Sequence, residues 1–117
     1  FQMLKKENRL SSNFEFNVTR KYGKYYNGKF FHVYFLNPRK YEGPTKVGIV
    51  VSNKFSKNAV ERNRAKRIFR EIVRKNFDKI KEKKLWVVIH PKFICLEKNG
   101  EEISSEFNKV LQEVLVS

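Results

Sequence analysis

Three consecutive segments decide the fold: Lys46-Val47-Gly48-Ile49-Val50-Val51-Ser52, the long run opening Asn58-Ala59-Val60-Glu61-Arg62-Asn63-Arg64-Ala65-Lys66-Arg67-Ile68-Phe69-Arg70, and Leu85-Trp86-Val87-Val88-Ile89-His90. The first and third are short apolar runs rich in β-branched residues, and each reads as a strand; the first is poor enough in polar residues to be buried on both sides. Between them, the spacing predicts a helix from about Asn58 to Phe77. On a 100° wheel Ala65, Ile68, Phe69, Ile72 and Val73 fall on one side as a core stripe. Asn63, Lys66, Arg67, Arg70 and Arg74 cover the opposite arc, Arg64 and Lys75 extend it, and Arg62 lies near the stripe's edge. A strand–helix–strand order of this kind places the two strands parallel in one sheet.

Working outward, Ser11-Ser12-Asn13 followed by Glu15 is an N-cap cluster, predicting a helix from about Ser12 to Lys21 that Gly23 stops. Tyr25-Tyr26 starts a short strand before Asn27-Gly28, a hairpin signal. Lys29–Leu36 (KFFHVYFL) is aromatic and β-branched and reads as the second strand. Toward the C-terminus, Ile103, Phe107, Val110, Leu111, Val114 and Leu115 follow helical spacing within Glu102–Val116. The element order is αβββαβα: an α+β fold, a two-layer α/β sandwich on a mixed four-stranded sheet. At 117 residues the chain is long enough for a single modest core: one domain over 1–117, with residues 1–9 as a basic arm.

Net charge is +14. Twenty-five of the 26 lysines and arginines fall in residues 1–98 with eight of the 12 acids, which leaves that part at +17 and the last 19 residues net acidic. Such a field attracts nucleic acid or an anionic membrane. From Arg62 to Arg70, five cations and one amide occupy nine residues, and Glu61 is the only acid between Lys46 and Arg70. A solvated helix face would mix both signs at i,i+4 spacing. This one does not, so it predicts a polyanion partner, gripped by planar guanidinium forks. No apolar run reaches the ~20 residues that span a bilayer, no secretion signal is visible, and Cys95 is alone, most simply a small core residue. These features point to a cytoplasmic protein with no membrane partner and no small-molecule substrate.

A second surface is expected on the aromatic strand. Side chains alternate, so Phe31, Val33 and Phe35 form an apolar core face, while Phe30, His32 and Tyr34 mix ring planes with polar tips. Phe16 and Arg20, four apart on the first helix, can wall that face. Unpaired bases stack on such rings at about 1–3 kcal/mol per base, whatever the sequence. The alternative is that Phe30 and Tyr34 pack beneath the first helix as ordinary core. Clustered carboxylates for metal-assisted hydrolysis are missing: Asp78 is the only aspartate, and Glu101, Glu102 and Glu106 open a helix, where acids suit the dipole. His32 and His90 sit on different strands without ligand spacing. The expectation is an RNA- or DNA-binding protein without catalytic residues, metal ligands or a cofactor of its own.

The run Arg62-Asn63-Arg64, preceded by Asn58-Ala59-Val60 and followed by Lys66-Arg67 and Arg70, resembles the RNR motif of the bacterial ribonuclease P protein subunit. Leu4-Lys5-Lys6 with Asn8-Arg9-Leu10 is similar to that family's N-terminal arm. Phe16 falls in its first helix, Tyr34 in its aromatic strand, and Val47-Gly48-Ile49 with Val51-Ser52 in the strand before the basic helix. The resemblance covers about residues 4–92.

The resemblance implies the accessory subunit of an endoribonuclease, ribonuclease P, in which an RNA does the cutting. That RNA removes the 5′ leader of precursor tRNA with Mg²⁺. The fold implied is an α/β sandwich with a left-handed βαβ crossover through the basic helix, where right-handed is the default. Carried over, Arg62, Asn63, Arg64, Lys66, Arg67 and Arg70 face the ribonuclease P RNA, with Lys54 and Asn58 on the approach loop. Phe16 and Tyr34, with His32, line the leader cleft. There are two departures from the pattern. Arg20 stands where an aromatic is usual, offering either a phosphate contact or guanidinium stacking. The loop Lys54–Asn58 lacks a usual glycine and is one residue longer, which could shift the start of the basic helix. Two other readings remain: a ribosomal or ribosome-assembly protein, and a duplex-DNA reader, which would lack a partner helix to orient the basic one.

Overall fold

A computed structural model of the chain describes residues 4–116. Three helices and four strands run α1 (Asn13–Tyr22), β1 (Lys24–Asn27), β2 (Phe31–Leu36), β3 (Lys46–Ile49), α2 (Ala59–Asn76), β4 (Trp86–Pro91) and α3 (Gly100–Val116). The sheet order is β1-β2-β4-β3. β1 and β4 pair antiparallel with β2, and β3 pairs parallel with β4, as the strand–helix–strand reading requires.

Alternation along β2 sets the layers. Phe31, Val33 and Phe35 are buried against α2 and α3, together with Phe69, Ile72 and Val73 of the basic helix and Ile103, Phe107 and Leu111 of α3. At about 25 cal/mol per Å² of apolar surface, this face carries most of the burial energy. Cys95 lies in this core, and burial pushes its thiol up to about 11 against the opposing Arg64 charge. The opposite face of the sheet is only partly covered. There α1 lies across it, and Leu10, Trp86 and Val88 form a smaller cluster with Phe16, Tyr34 and Leu36.

Both functional helices begin with side-chain caps. Ser12 Oγ accepts the Glu15 N–H at 3.1 Å and Glu15 Oε1 accepts the Ser12 N–H at 3.2 Å, a reciprocal capping box. Asn58 Oδ1 accepts the Val60 N–H at 2.9 Å, so the basic helix begins beside Asn58, where the sequence places it.

Three expectations change in detail. β3 ends at Ile49 and is an edge strand. Its outer edge is met by the N-terminal segment, where Leu10 N–H donates to Val47 O at 3.1 Å and Asn8 Nδ2 donates to Thr45 O at 3.0 Å. The arm is therefore docked over Asn8–Leu10, both ends buried, because an unpaired edge offers it hydrogen bonds; its residues 1–3 lie outside the described residues. The β1–β2 hairpin is not a two-residue Asn27-Gly28 turn: Asn27 pairs with His32, and Gly28 N–H closes a wider turn onto Phe31 O at 2.8 Å.

Candidate RNA interface

The basic helix presents its cations unevenly. Asn63, Arg64, Arg67 and Arg70 are exposed, Arg62 and Lys66 half-buried. Glu71 neutralises the C-terminal part, pairing with Arg74 at 2.5 Å and Lys75 at 3.9 Å. Among the described residues Arg62, Arg64, Lys66, Arg67 and Arg70 make no ion pair, so unbalanced charge gathers in the first three turns. Two of these side chains also brace the fold. Arg62 Nη1 donates to Ser56 O at 2.8 Å, and Arg64 Nη2 donates to Leu96 O at 3.1 Å, holding the 3-10 turn Phe93–Glu97 against the helix. Asn58 is committed to its cap, which leaves its side-chain amide N–H groups for other contacts.

The predicted aromatic face is assembled on the sheet side that α1 covers only in part. His32 and Tyr34 point there from β2, in T-shaped contact at 5.9 Å between centroids. The register sets Tyr25 opposite Tyr34 and His90 opposite His32. Tyr25 lies 5.1 Å from Tyr34 and 5.5 Å from His32, and His90 stacks on His32 at 4.7 Å with 16° between ring planes. Burial pushes the His90 imidazole down to about 4, helped by the His32 and Arg20 charges, so it is neutral at physiological pH. His32 is also lowered, by burial and then by Lys92.

Arg20 Cζ lies over the Phe16 ring, 5.8 Å from the centroid, a guanidinium–aromatic contact. Phe16 in turn sits on β3, against Gly48 and Leu10.

Phe30 is a correction. It is 5% exposed and packs in the main core with Lys29 Nζ over its ring at 5.5 Å, so it is not part of the aromatic face. The strand alternation starts only at Phe31. The preceding turn is pinned to α3 by Glu106, which accepts the Lys29 and Phe30 N–H groups at 2.7 and 3.0 Å, and that pulls Phe30 inward. Tyr34 is half-buried rather than core. Tyr25 and His90 were the rings that sequence reading left out of the surface; only the hairpin register could have placed Tyr25 there.

The cationic helix and the aromatic face lie on opposite sides of the sheet. At the β3 edge, Phe16 of α1 and Arg70 of the basic helix line one cavity of about 180 Å³ with Arg9, over Gly48 and Val73. Among the described residues, no group of three or more His, Cys, Asp or Glu converges as a metal site.

The ribonuclease P family model matches residues 4–115. The chain belongs to the ribonuclease P protein family. The ribonuclease P protein component of Finegoldia magna is 44% identical over 96 residues, covering 82% of this chain and 76% of the relative. That of Pseudanabaena is 32% identical over 97% of both chains. Among solved structures, the Staphylococcus aureus RNase P protein superposes with a TM-score of 0.76 at 26% identity, covering 93% of this chain and 96% of that one. The Thermotoga maritima RNase P protein gives 0.74 at 27% identity, covering 90% and 96%. The chain is thus the protein subunit of an endoribonuclease complex, and a ribosomal or ribosome-assembly role is not favoured. No described helix is long and apolar enough to cross a membrane.

Proposed function

We propose that this subunit docks on the ribonuclease P RNA through the first three turns of α2 and carries the 5′ leader of precursor tRNA across the Tyr25–His32–Tyr34–His90 face. The observation that carries this reading is an unbalanced Arg/Lys ridge on one side of the sheet and a half-open aromatic surface on the other. The ridge is suited to phosphates, with Arg62, Arg64, Lys66, Arg67 and Arg70 reducing repulsion between two polyanions. Asn63 adds a neutral donor and acceptor for a sugar or base edge. The rings accept unpaired bases without regard to sequence, which suits leaders of differing composition. Phe16, with Arg20 over it, forms the wall of the cleft.

In this reading the polypeptide supplies binding and orientation, and the RNA cuts. Mg²⁺, when bound, supplies charge neutralisation and water activation for the RNA-catalysed hydrolysis. His90 is held neutral and His32 is biased toward neutrality, so they serve as stacking planes and not as phosphate counter-charges. A cytoplasmic location, with precursor tRNA as the substrate, belongs to the same proposal.

The test is differential binding by the holoenzyme. Tyr34→Ala and Phe16→Ala should weaken precursor tRNA binding by about fivefold or more and leave mature tRNA binding unchanged. Equal loss for both substrates would mean that these rings are structural only.

A further inference from the structure

At the C-terminal ends of β3 and β4 a cavity of about 380 Å³ opens from the aromatic face toward the start of the basic helix. Its lining includes His32 and His90 of the aromatic face together with Lys54, Phe55, Lys92 and Phe93. Phe55 and Phe93 are in ring contact, 5.4 Å between centroids at 46°. The two rings are anchored differently. Phe55 packs partly against the main core, its N–H bonded to Ser52 O at 3.0 Å. Phe93 stays 45% exposed although it opens a rigid turn. That turn is fixed by Cys95 N–H donating to Lys92 O at 2.9 Å and by Arg64 on Leu96 O. An exposed ring held on a fixed turn gains little from burial and is presented outward.

Among the described residues, the charge beside it has no ion-pair partner. Lys92 Nζ donates to Asn27 Oδ1 and Gly28 O, both at 2.6 Å, and both acceptors are neutral. Lys54 is exposed and makes no ion pair among the described residues. A ring plane that shares one cavity with two ammonium groups matches one nucleotide, the base on the ring and the flanking phosphates near the lysines. We propose that Phe93, backed by Phe55 and flanked by Lys54 and Lys92, is a separate stacking subsite for an unpaired nucleotide of the leader. This inference rests on the leader reading above. It commits to the leader because the cavity shares His32 and His90 with the aromatic face, so a strand lying on those rings continues into it. Lys54 then serves the leader and not only the approach to the ribonuclease P RNA.

The experiment measures holoenzyme affinity for precursor tRNAs whose leaders are shortened one nucleotide at a time, with the wild type, Phe93→Ala, Phe93→Tyr and Tyr34→Ala. Phe93→Ala should weaken binding by about fivefold or more once the leader reaches a threshold length, and not below it. Phe93→Tyr should restore affinity, because it keeps the ring. Mature tRNA binding and assembly with the ribonuclease P RNA should be unchanged. Affinity unaffected at every leader length would overturn the subsite, as would equal weakening for mature tRNA or weakened assembly with the RNA subunit. If Tyr34→Ala still discriminates by leader while Phe93→Ala does not, only the subsite falls. If neither variant discriminates, the leader reading falls with it.

Discussion

The Phe16 ring fills the space above Gly48: a Cβ on that glycine would stand 2.6 Å from Phe16 Cζ and 3.1 Å from Leu10 Cβ. The glycine is required here for close approach between helix and strand, not for backbone freedom. Gly48→Ala should therefore tilt Phe16 away from β3 and disturb the wall that Phe16 forms. The expected outcome is a stability loss of about 1–3 kcal/mol by overpacking, with a larger drop in affinity for precursor than for mature tRNA. Denaturant unfolding and paired binding curves check it; unchanged values in both would show that the ring moves aside without consequence.

Arg64 and Arg67 separate two roles on one helix. Arg64 braces the Phe93–Glu97 turn through Leu96 O, while Arg67 makes no ion pair among the described residues. Arg67→Ala should lower the salt slope of binding to the ribonuclease P RNA by about one unit and leave the melting temperature nearly unchanged. Arg64→Ala should lower affinity and also cost about 1 kcal/mol of stability. Salt-titrated binding with thermal melts distinguishes them. Identical behaviour of the two variants would contradict the division.

The Glu15–Lys46 ion pair, 2.8 Å long, ties α1 to β3. Burial pushes the Glu15 carboxyl up, but Lys46 and the Ser11 and Ser12 N–H groups outweigh it, so it lies below its ordinary value of 4.5. A lowered carboxyl stabilises the folded state above the unfolded value, and this is lost as pH falls through the folded one. Glu15→Gln should accordingly destabilise the protein at pH 7 and lose that penalty as the pH drops below about 4.5. Stability curves at several pH values test this. A penalty that persists undiminished well below that range would locate the effect in the cap alone.

His90 gives a second pH signature. Its folded imidazole titrates at about 4 against an ordinary 6.5, mainly through burial. The unfolded chain takes up the proton first, so stability should decline as pH falls from 6.5 toward 4. His90→Gln should flatten that decline. An NMR titration placing His90 near or above 6.5 would contradict its buried, neutral state.

Much of this was legible in the chain because period and capping agree with the fold. The 3.6-residue stripe from Ala65 to Val73 located α2, and Ser12 with Glu15 located α1. The apolar runs gave β3 and β4 and their parallel pairing. The site was legible where a residue's role follows from its own helix face, as for Arg67 and Arg70. It was not legible where it depends on register or on a distant partner. Glu106, 76 residues from Phe30, draws that ring into the core. The four-residue Gly28–Phe31 connection, not the Asn27-Gly28 signal, sets Tyr25 against Tyr34. Likewise, the docking of Asn8–Leu10 on β3 depends on which strand is left at the edge, which local sequence does not encode.

Leader removal from precursor tRNA at low Mg²⁺ is the most direct measurement, comparing the cognate RNA alone, this protein alone and the two together. The account predicts weak cleavage by the RNA, none by nucleic-acid-free protein, and a large stimulation by the pair that Tyr34→Ala reduces for leader-bearing substrate. Cleavage by the purified polypeptide without RNA, or no stimulation of the RNA by the protein, would contradict it.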